Sequence, residues 1–350
     1  MTTVLHLTDC GGGGVPVVID TILGAIAGEV AFIGTAPHGF VHRASIALET
    51  GGSRTKNPLR IRRNLDCLVA GLRDRRIDLI HAHSSFGGVY GALLARRLGV
   101  PLVYSPHASP AMIPGKSFGE RLIARLEGLS CHTARRVIAC SDDEAQALRG
   151  LCPAERIVVV PNGVRVDTPV EVAGDWDLLA VGRISAQKRP DLFVQLVEAL
   201  RRQRPEVRVA WLGPGEPPAG AGAGAIEWMG EVPEAEVARL LSRTRVFVST
   251  SDYEGLSLAA LKAACAGCHL FLRDTIGNRA PVLLGAEGTC FGDVGAGATA
   301  LAGLLADPAA HTAAARTTRA ERARAIFSLD TQMARLREIY ADCTAGGAAR

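Results

Sequence analysis

Leu178-Leu179-Ala180-Val181-Gly182-Arg183-Ile184-Ser185-Ala186-Gln187-Lys188-Arg189-Pro190, continuing through 191–202, is the stretch from which the fold is read. An apolar run of strand length stops at a glycine. A short polar loop carrying two cations follows. Pro190 then opens a segment in which Leu192, Phe193, Leu196, Val197 and Leu200 fall on one face of a helix. Apolar strands that alternate with amphipathic helices form parallel sheets covered on both faces. Ligands of such sheets bind beyond the carboxyl ends of the strands, which is where Arg183 and Lys188 stand.

The same alternation extends in both directions. Strands are expected at 4–8, 30–33, 78–83, 102–105, 137–141 and 157–160, then at 178–181, 207–212, 226–228, 246–250 and 269–273. Further helices are expected at 234–243, with Val237, Leu240 and Leu241 on one face, and at 329–340, with Leu329, Met333, Leu336 and Ile339 in register. The pattern restarts near residue 175, after a polar stretch at 164–174 that contains Pro169 and reads as a linker. Two doubly wound α/β domains in series result, and two such domains facing each other make a cleft. The glycine- and alanine-rich 217–224 reads as a flexible surface loop, and the tail from Cys343 as frayed.

With 48% hydrophobic and 21% charged residues the 350-residue chain is globular, and with 5% aromatics its cores are aliphatic. No window of 18 uninterrupted apolar residues exists, which excludes a transmembrane helix. The start, Met1-Thr2-Thr3-Val4-Leu5-His6, reads as a first strand and not as a signal peptide. Nine scattered cysteines, an odd number, argue for a reducing compartment. Cys265 and Cys268 form a lone CxxC beside His269. A zinc site would need further ligands, and the run reads as a helix ending at Gly267 with two buried thiols. A cytoplasmic protein is expected.

The net charge of +4 is unevenly placed: residues 1–168 carry 19 Lys and Arg against 14 Asp and Glu, and the remainder 20 against 21. Arg54, Lys56, Arg60, Arg62, Arg63, Arg73, Arg75 and Arg76 face only Asp66 and Asp74. Such a run is either a solvated helix face or a surface for anionic lipid or an anionic acceptor. No aromatics are interleaved for base stacking, so nucleic acid is not an expected partner.

Four loops after strands carry chemistry. Thr8-Asp9-Cys10 runs into Gly11-Gly12-Gly13-Gly14 and a helix opened by Pro16. This is either a tight strand–helix turn or a place where backbone approaches a ligand. Arg183 and Lys188 bracket a loop that suits a diphosphate, a guanidinium fork plus a point charge. Ser249-Thr250-Ser251-Asp252-Tyr253-Glu254-Gly255-Leu256-Ser257 joins one carboxylate to free amides, which holds sugar hydroxyls or caps a helix. His107 follows strand 102–105 in Ser105-Pro106-His107-Ala108-Ser109, as a structural or a cleft-facing residue. His81 and His83 share a strand face, but no third metal ligand is evident, so no metal is expected. No GxSxG elbow, HExxH or GxxxxGK[ST] is present.

Taken together, these segments resemble the family 4 retaining glycosyltransferases of GT-B fold. The resemblance covers nearly the whole chain. It includes the Gly11–Gly14 loop, Asp78-Leu79-Ile80-His81-Ala82-His83, Val100-Pro101-Leu102-Val103-Tyr104-Ser105-Pro106-His107 and Val137-Ile138-Ala139-Cys140-Ser141. It continues through Val160-Pro161-Asn162-Gly163-Val164, Gly182-Arg183 with Lys188, Gly213-Pro214-Gly215-Glu216 and Glu254-Gly255-Leu256-Ser257. Phe327-Ser328-Leu329-Asp330 and the last helix resemble the segment that crosses back to the N-terminal domain in that fold.

The resemblance implies two Rossmann-like domains facing across a cleft: an acceptor-binding domain at 1–168, a nucleotide-sugar-binding domain at 169–326 and a returning helix in 327–350. Arg183 and Lys188 would take the donor diphosphate. Glu254 would hold the transferred sugar, with Gly255, Leu256 and Ser257 offering amides, and His107 would reach the same sugar. Gly12, Gly13, Gly182 and Gly213 would lie against the donor, and Asn162 and His83 on the acceptor side. Retention through front-side attack, in which the leaving phosphate accepts the acceptor's proton, needs no second carboxylate, no metal and no cofactor. The nucleotide sugar is a co-substrate.

One departure matters. The family motif is Glu, seven residues, Glu, yet Lys262 stands eight positions after Glu254. The second Glu binds ribose hydroxyls in the family, and lysine cannot accept hydrogen bonds. Other groups hold the ribose, or the donor carries extra negative charge near Lys262, or the chain is a degenerate partner of another transferase. Ala108 also stands where the family often has Gly. The expected activity is transfer of a hexose or N-acetylhexosamine, UDP-linked or in the alternative GDP-linked mannose, to a saccharide or lipid-linked acceptor in polysaccharide biosynthesis. The site of action is the cytoplasm, with peripheral contact on the inner face of the plasma membrane through the basic N-terminal domain. The alternatives are a sugar-nucleotide epimerase and a non-catalytic GT-B subunit.

Overall fold

A computed structural model of the chain describes residues 2–11, 13–25, 28–33, 46–48, 57–113, 115, 117–165, 170–171, 174–220, 224 and 226–345. The chain divides into two compact units, one formed by Met1–Gly163 with Leu329–Arg350, the other by Val164–Ser328.

In the first unit the strands are β1 (Val4–Thr8), β2 (Gly28–Ile33), β3 (Ile46–Leu48), β4 (Leu79–His83), β5 (Leu102–Ser105), β6 (Arg136–Ala139) and β7 (Ile157–Val159). The helices are α1 (Gly14–Leu23), α2 (Pro58–Gly71), α3 (Ser85–Leu98), α4 (Phe118–Thr133) and α5 (Asp142–Leu148). All strand pairs are parallel, in the order β3-β2-β1-β4-β5-β6-β7. Leu5, Leu7, Ile80, Ala82, Leu102 and Tyr104 build a core buried under Leu65 and Leu68 of α2 and Leu94 of α3. Short polar residues start the helices. Asn57 caps α2, Ser141 caps α5, and Ser117 with Glu120 forms a reciprocal capping box at α4.

The second unit holds β8 (Trp176–Val181), α6 (Pro190–Arg201), β9 (Val209–Leu212), β10 (Glu227–Gly230), α7 (Glu234–Ser242), β11 (Thr244–Ser249), α8 (Leu258–Cys265), β12 (His269–Arg273), α9 (Ala280–Leu283), β13 (Gly288–Phe291), α10 (Val294–Ala306) and α11 (Ala313–Phe327). Its six strands are parallel in the order β10-β9-β8-β11-β12-β13. Phe193, Leu196, Val197 and Leu200 of α6 are fully buried against this sheet, as the helical spacing requires. The last helix, α12 (Leu329–Ala345), belongs to the first unit. There the Tyr340 hydroxyl bonds His81, and the Cys343 carbonyl accepts from Arg135.

In each sheet the strand order reverses at one place, between β1 and β4 and between β8 and β11. Loops leaving the carboxyl ends of those four strands splay apart and open a crevice, the usual ligand site of such sheets. The glycine run, the Arg183–Lys188 loop and the Glu254 loop follow β1, β8 and β11, and His83 ends β4.

Several expectations need correction. β3 and β13 were absent from the sequence pattern, because three or four residues carry too little periodicity. The strand expected at 226–228 lies at Glu227–Gly230, and that expected at 207–212 begins at Val209. The tail does not fray at Cys343: α12 runs on to Ala345, and Cys343 is buried. Arg316 and Arg319, on which the sequence carried no expectation, are buried and donate to backbone carbonyls, Arg316 to Ser242 and Thr244 and Arg319 to Gly267. The nine cysteines are free thiols, and burial pushes those of Cys265 and Cys268 upward. Arg54, Lys56, Gly12, residues 221–223 of the glycine-rich loop and 166–169 of the linker lie outside the described residues. Among the described residues no helix is long and apolar enough to cross a membrane.

Candidate functional site

The second unit brings Lys188 and Glu254 together. Lys188 Nζ stands 2.6 Å from Glu254 Oε1, and Glu254 is 8% exposed. Lys188 closes a single 3-10 turn after Gly182, and Arg189 follows it in the left-handed region with φ 51°. Thr250 Oγ1 donates to the carbonyls of Lys188 and Arg189 at 2.9 and 3.0 Å, and Gln187 Nε2 donates to the Tyr253 carbonyl at 2.9 Å. The two loops are therefore stitched to each other by backbone groups as well as by charge.

Two glycine contacts allow this arrangement. A Cβ on Gly213 would lie 2.2 Å from the Gly182 carbonyl oxygen, so β8 and β9 meet at their ends only without side chains there. A Cβ on Gly277, at φ 68°, would lie 1.7 Å from the Glu254 carbonyl oxygen. Gly277 thus lets the segment after β12 support the Glu254 loop. Asn278 completes the support: its Oδ1 accepts from Ser249 Oγ at 2.7 Å, and its Nδ2 donates to the Arg273 carbonyl at 2.8 Å.

The other expected donor-side residues lie nearby in this unit. Arg183 is exposed beside Gly182 and has no ion-pair partner among the described residues. Gly255, Leu256 and Ser257 are buried, and Ser257 caps α8, its Oγ accepting from the Ala260 amide. Lys262, one turn into α8, pairs with Glu234 of α7 at 2.5 Å. The cation in the place of the second motif carboxylate therefore holds a carboxylate from a neighbouring helix.

In the first unit, His107 and Ala108 both adopt left-handed backbone, with φ 56° and 76°. Such geometry costs about 1–2 kcal/mol for a residue with a Cβ, and it persists where surrounding contacts impose it. Glu144 imposes it here. Fully buried in the first turn of α5, it accepts from the amides of Ala108, Ser109 and Cys140 at 2.8, 3.0 and 2.8 Å. Ser109 Oγ is held in turn by Glu127 Oε2, while Glu127 Oε1 accepts from Ser85 and Tyr104. Burial pushes the Glu127 carboxyl up to about 7, its three hydroxyl partners pulling the other way. Both carboxylates escaped sequence reading: Glu144, in the first turn of α5, reads as a cap, and Glu127, in the middle of α4, reads as one more polar helix position. Asn162 is buried and lines a small hollow with His83 and His107, and Gly13 is exposed at φ 78° before α1.

His107 does not stand alone. Its Nε2 lies 2.9 Å from His83 Nδ1, and His83 Nε2 lies 3.0 Å from His6 Nδ1. His81 bonds Tyr340 through Nδ1 and Ser105 through Nε2, at 2.7 and 2.8 Å. Burial pushes His6 and His107 down to about 4 and His81 and His83 well below their usual range, so all four rings are neutral. The expectation that His81 and His83 lack a third ring is corrected. His6 on β1 sits in parallel register with His81 on β4, and His6, His81 and His83 offer ligand atoms within 4.8 Å of one another. Neutral imidazoles are metal-competent. Here the nitrogens of His81 and His83 and the Nδ1 of His6 are already committed to hydrogen bonds, which leaves His6 Nε2 without a partner among the described residues.

Comparison with known proteins now bears on this geometry. Residues 12–168 match the model of Glycosyltransferase Family 4, and residues 176–307 that of Glycosyl transferases group 1. A D-inositol 3-phosphate glycosyltransferase from Kineococcus radiotolerans is 30% identical over 69% of this chain and 66% of that protein. The glycogen synthase of Mycobacterium tuberculosis is 30% identical over 74% of this chain and 67% of its own length. Alignments with the curated relatives run from 35% to 71% of their length. Anabaena HepE, solved with UDP and glucose, superposes with a TM-score of 0.77 over 98% of this chain and 100% of its own, at 18% identity. The fold is GT-B.

Proposed function

This chain belongs to the family 4 glycosyltransferases, and on that premise we propose that it moves a hexose or N-acetylhexosamine from a nucleotide diphosphate donor to a saccharide or lipid-linked acceptor, with retention. The observation that carries this reading is the Lys188–Glu254 pair at the crevice between β8 and β11. A cation and a carboxylate held side by side are what a diphosphate sugar needs, one for the phosphate, one for the sugar hydroxyls. UDP is the favoured nucleotide, because HepE was solved with UDP and glucose.

The chemistry follows from the charges. The bond between the anomeric carbon and the diphosphate oxygen breaks, and the acceptor oxygen bonds to the same face of that carbon. The acceptor's proton passes to the leaving phosphate oxygen. Negative charge that grows on the diphosphate is met by Arg183 and Lys188, so the reading calls for neither metal nor cofactor. Glu254 turns from Lys188 to the sugar hydroxyls, and Gly255, Leu256 and Ser257 line its loop. His107 is assigned to the transferred sugar as a neutral hydrogen-bonding group. Gly12, Gly13, Gly182 and Gly213 keep side chains out of the donor's way. Asn162 and His83 are assigned to the acceptor side. Lys262 with Glu234 takes the place of the missing second motif carboxylate.

The acceptor reading includes a membrane surface. Helix α2 exposes Arg60, Arg62 and Arg63 beside Leu59, and α4 exposes Phe118, Arg121 and Arg125. Cations beside exposed apolar side chains suit an anionic lipid surface.

Nucleotide diphosphate release from a panel of nucleotide sugars, measured with the native chain and with Glu254→Ala, tests the proposal. Release from one donor that is lost in Glu254→Ala supports it and names the sugar. Acceptor-independent isomerisation of a donor would establish an epimerase instead. Absence of both turnover and nucleotide binding by calorimetry would overturn the donor assignment.

A further inference from the structure

The imidazoles that end at His107 form a line whose protons can be counted. The contacts His6 Nδ1···His83 Nε2 and His83 Nδ1···His107 Nε2 measure 3.0 and 2.9 Å, between rings tilted by 20° and 14°. Near-parallel rings let an in-plane N–H meet an in-plane lone pair. Each ring is neutral and so carries one proton. Each N···N contact of this length holds one proton and no more. Two contacts therefore use two of the three protons. The third sits at one end of the line, on His6 Nε2 or on His107 Nδ1.

The two ends differ. His6 is fully buried, and its Nε2 has no hydrogen-bond partner among the described residues. A proton there would make an orphan buried donor, which folded proteins very rarely keep. A bare lone pair is the lesser cost. His107 is half-buried, so a proton on its Nδ1 is not confined to the core. His81 lies alongside His83, with ring centroids 4.1 Å apart, but both its nitrogens are taken by Tyr340 and Ser105, so it does not draw a proton from the line.

We propose that the line is polarised from His6 through His83 to His107, so that His107 is held as the neutral Nδ1–H tautomer and offers a fixed hydrogen-bond donor at Nδ1. His6 and His83 are then positioning residues: they act on the substrate only through His107. A fixed donor selects an oxygen lone pair as its partner, a hydroxyl or phosphate oxygen of the donor sugar. That last consequence rests on the proposed transferase reading, whereas the tautomer itself does not.

The test uses the full chain labelled with 15N-histidine and two-bond proton–nitrogen correlation spectra at neutral pH without ligand, His107 being assigned by its absence in His107→Gln. The expected pattern is a protonated Nδ1 and a bare Nε2 in His107. The reverse pattern, or a rapid average of both tautomers, overturns the proposal. His6→Asn places an amide nitrogen where Nδ1 was and should leave the His107 pattern unchanged. His83→Phe cuts the line and should turn that pattern into an average. An unchanged pattern in a folded His83→Phe protein would show that the line does not hold the tautomer. The native spectrum decides the direction even if that variant fails to fold. A correct tautomer in a chain that turns over no donor would sink the transferase reading alone.

Discussion

Lys188 Nζ and Glu254 Oε1 meet at 2.6 Å although 66 residues separate them in the chain. The contact exists because β8 and β11 are neighbours in the sheet and their loops leave on the side where strand order reverses. Without donor, each charge is the other's partner. With donor, the proposed reading gives the cation to phosphate and the carboxylate to sugar. Lys188→Met should therefore weaken UDP binding by about 10- to 100-fold, the range of a lost charged hydrogen bond. Glu254→Gln should leave UDP affinity nearly unchanged and lower turnover by about 100-fold. Calorimetry and a diphosphate-release assay separate the two, and equal effects on both quantities would contradict the division of roles.

Ala108→Gly should stabilise the protein. The native φ of 76° penalises a Cβ, and glycine removes that penalty while losing more freedom on folding. The net gain is about 0.5–1 kcal/mol. It is read as a higher urea midpoint at unchanged slope. A lower midpoint would mean that the alanine methyl contributes packing that outweighs the strain.

Glu144→Ala should cost far more than Glu321→Ala on the exposed side of α11. Three amides, those of Ala108, Ser109 and Cys140, lose their shared acceptor in a buried place. A loss of at least about 2 kcal/mol is expected, against less than about 0.5 kcal/mol for the surface residue. Activity should fall with it, since the His107 loop loses its support. Equal destabilisation of the two variants would remove Glu144 from its assigned role.

Acid should unfold the protein through its histidines. The unfolded chain binds protons at His6 and His107 below about 6.5, the folded chain only near 4. Stability is therefore fully present above about pH 6.5 and declines by about 1.4 kcal/mol per pH unit for each such ring as pH falls. His81 and His83 shift in the same direction. Glu127 opposes them: raised to about 7 from 4.5, its carboxyl favours the folded state at low pH and loses that contribution as pH rises through this window. Glu127→Gln should then make the decline between pH 7 and 4.5 steeper. Urea midpoints taken across that range check the sign, and an unchanged decline would show Glu127 to be ionised in the folded chain.

Replacing Arg60, Arg62 and Arg63 of α2 by Ser should weaken binding to vesicles containing phosphatidylserine, by about 1 kcal/mol for each cation at the surface. Binding to neutral vesicles serves as the control. Unchanged sedimentation with the anionic vesicles would remove the membrane from the acceptor reading.

Much of the site was legible because its signals are local. Gly182, Arg183 and Lys188 follow an apolar strand and precede an amphipathic helix, so their place at a sheet's carboxyl edge needs only the neighbouring residues. Glu254 and His107 were legible for the same reason. His6 was not. Its ring meets His83 only because β1 and β4 pair in parallel with His6 opposite His81, and register between distant strands leaves no mark in either strand. Glu127 and Glu144 were hidden differently: they bind hydroxyls and backbone amides, and an amide carries no residue identity to search for.

By itself the sequence determined the alternation of strand and helix, the α/β class and the residue types at the ends of the strands, since each follows from periodicity over a few neighbours. Only the tertiary structure decided which of those residues meet. Strand order joined Lys188 to Glu254, parallel register lined up His6, His83 and His107, and the return of α12 set Tyr340 against His81. Each of these contacts spans a long stretch of chain, and its existence depends on how whole sheets assemble, a cooperative outcome that no local pattern encodes.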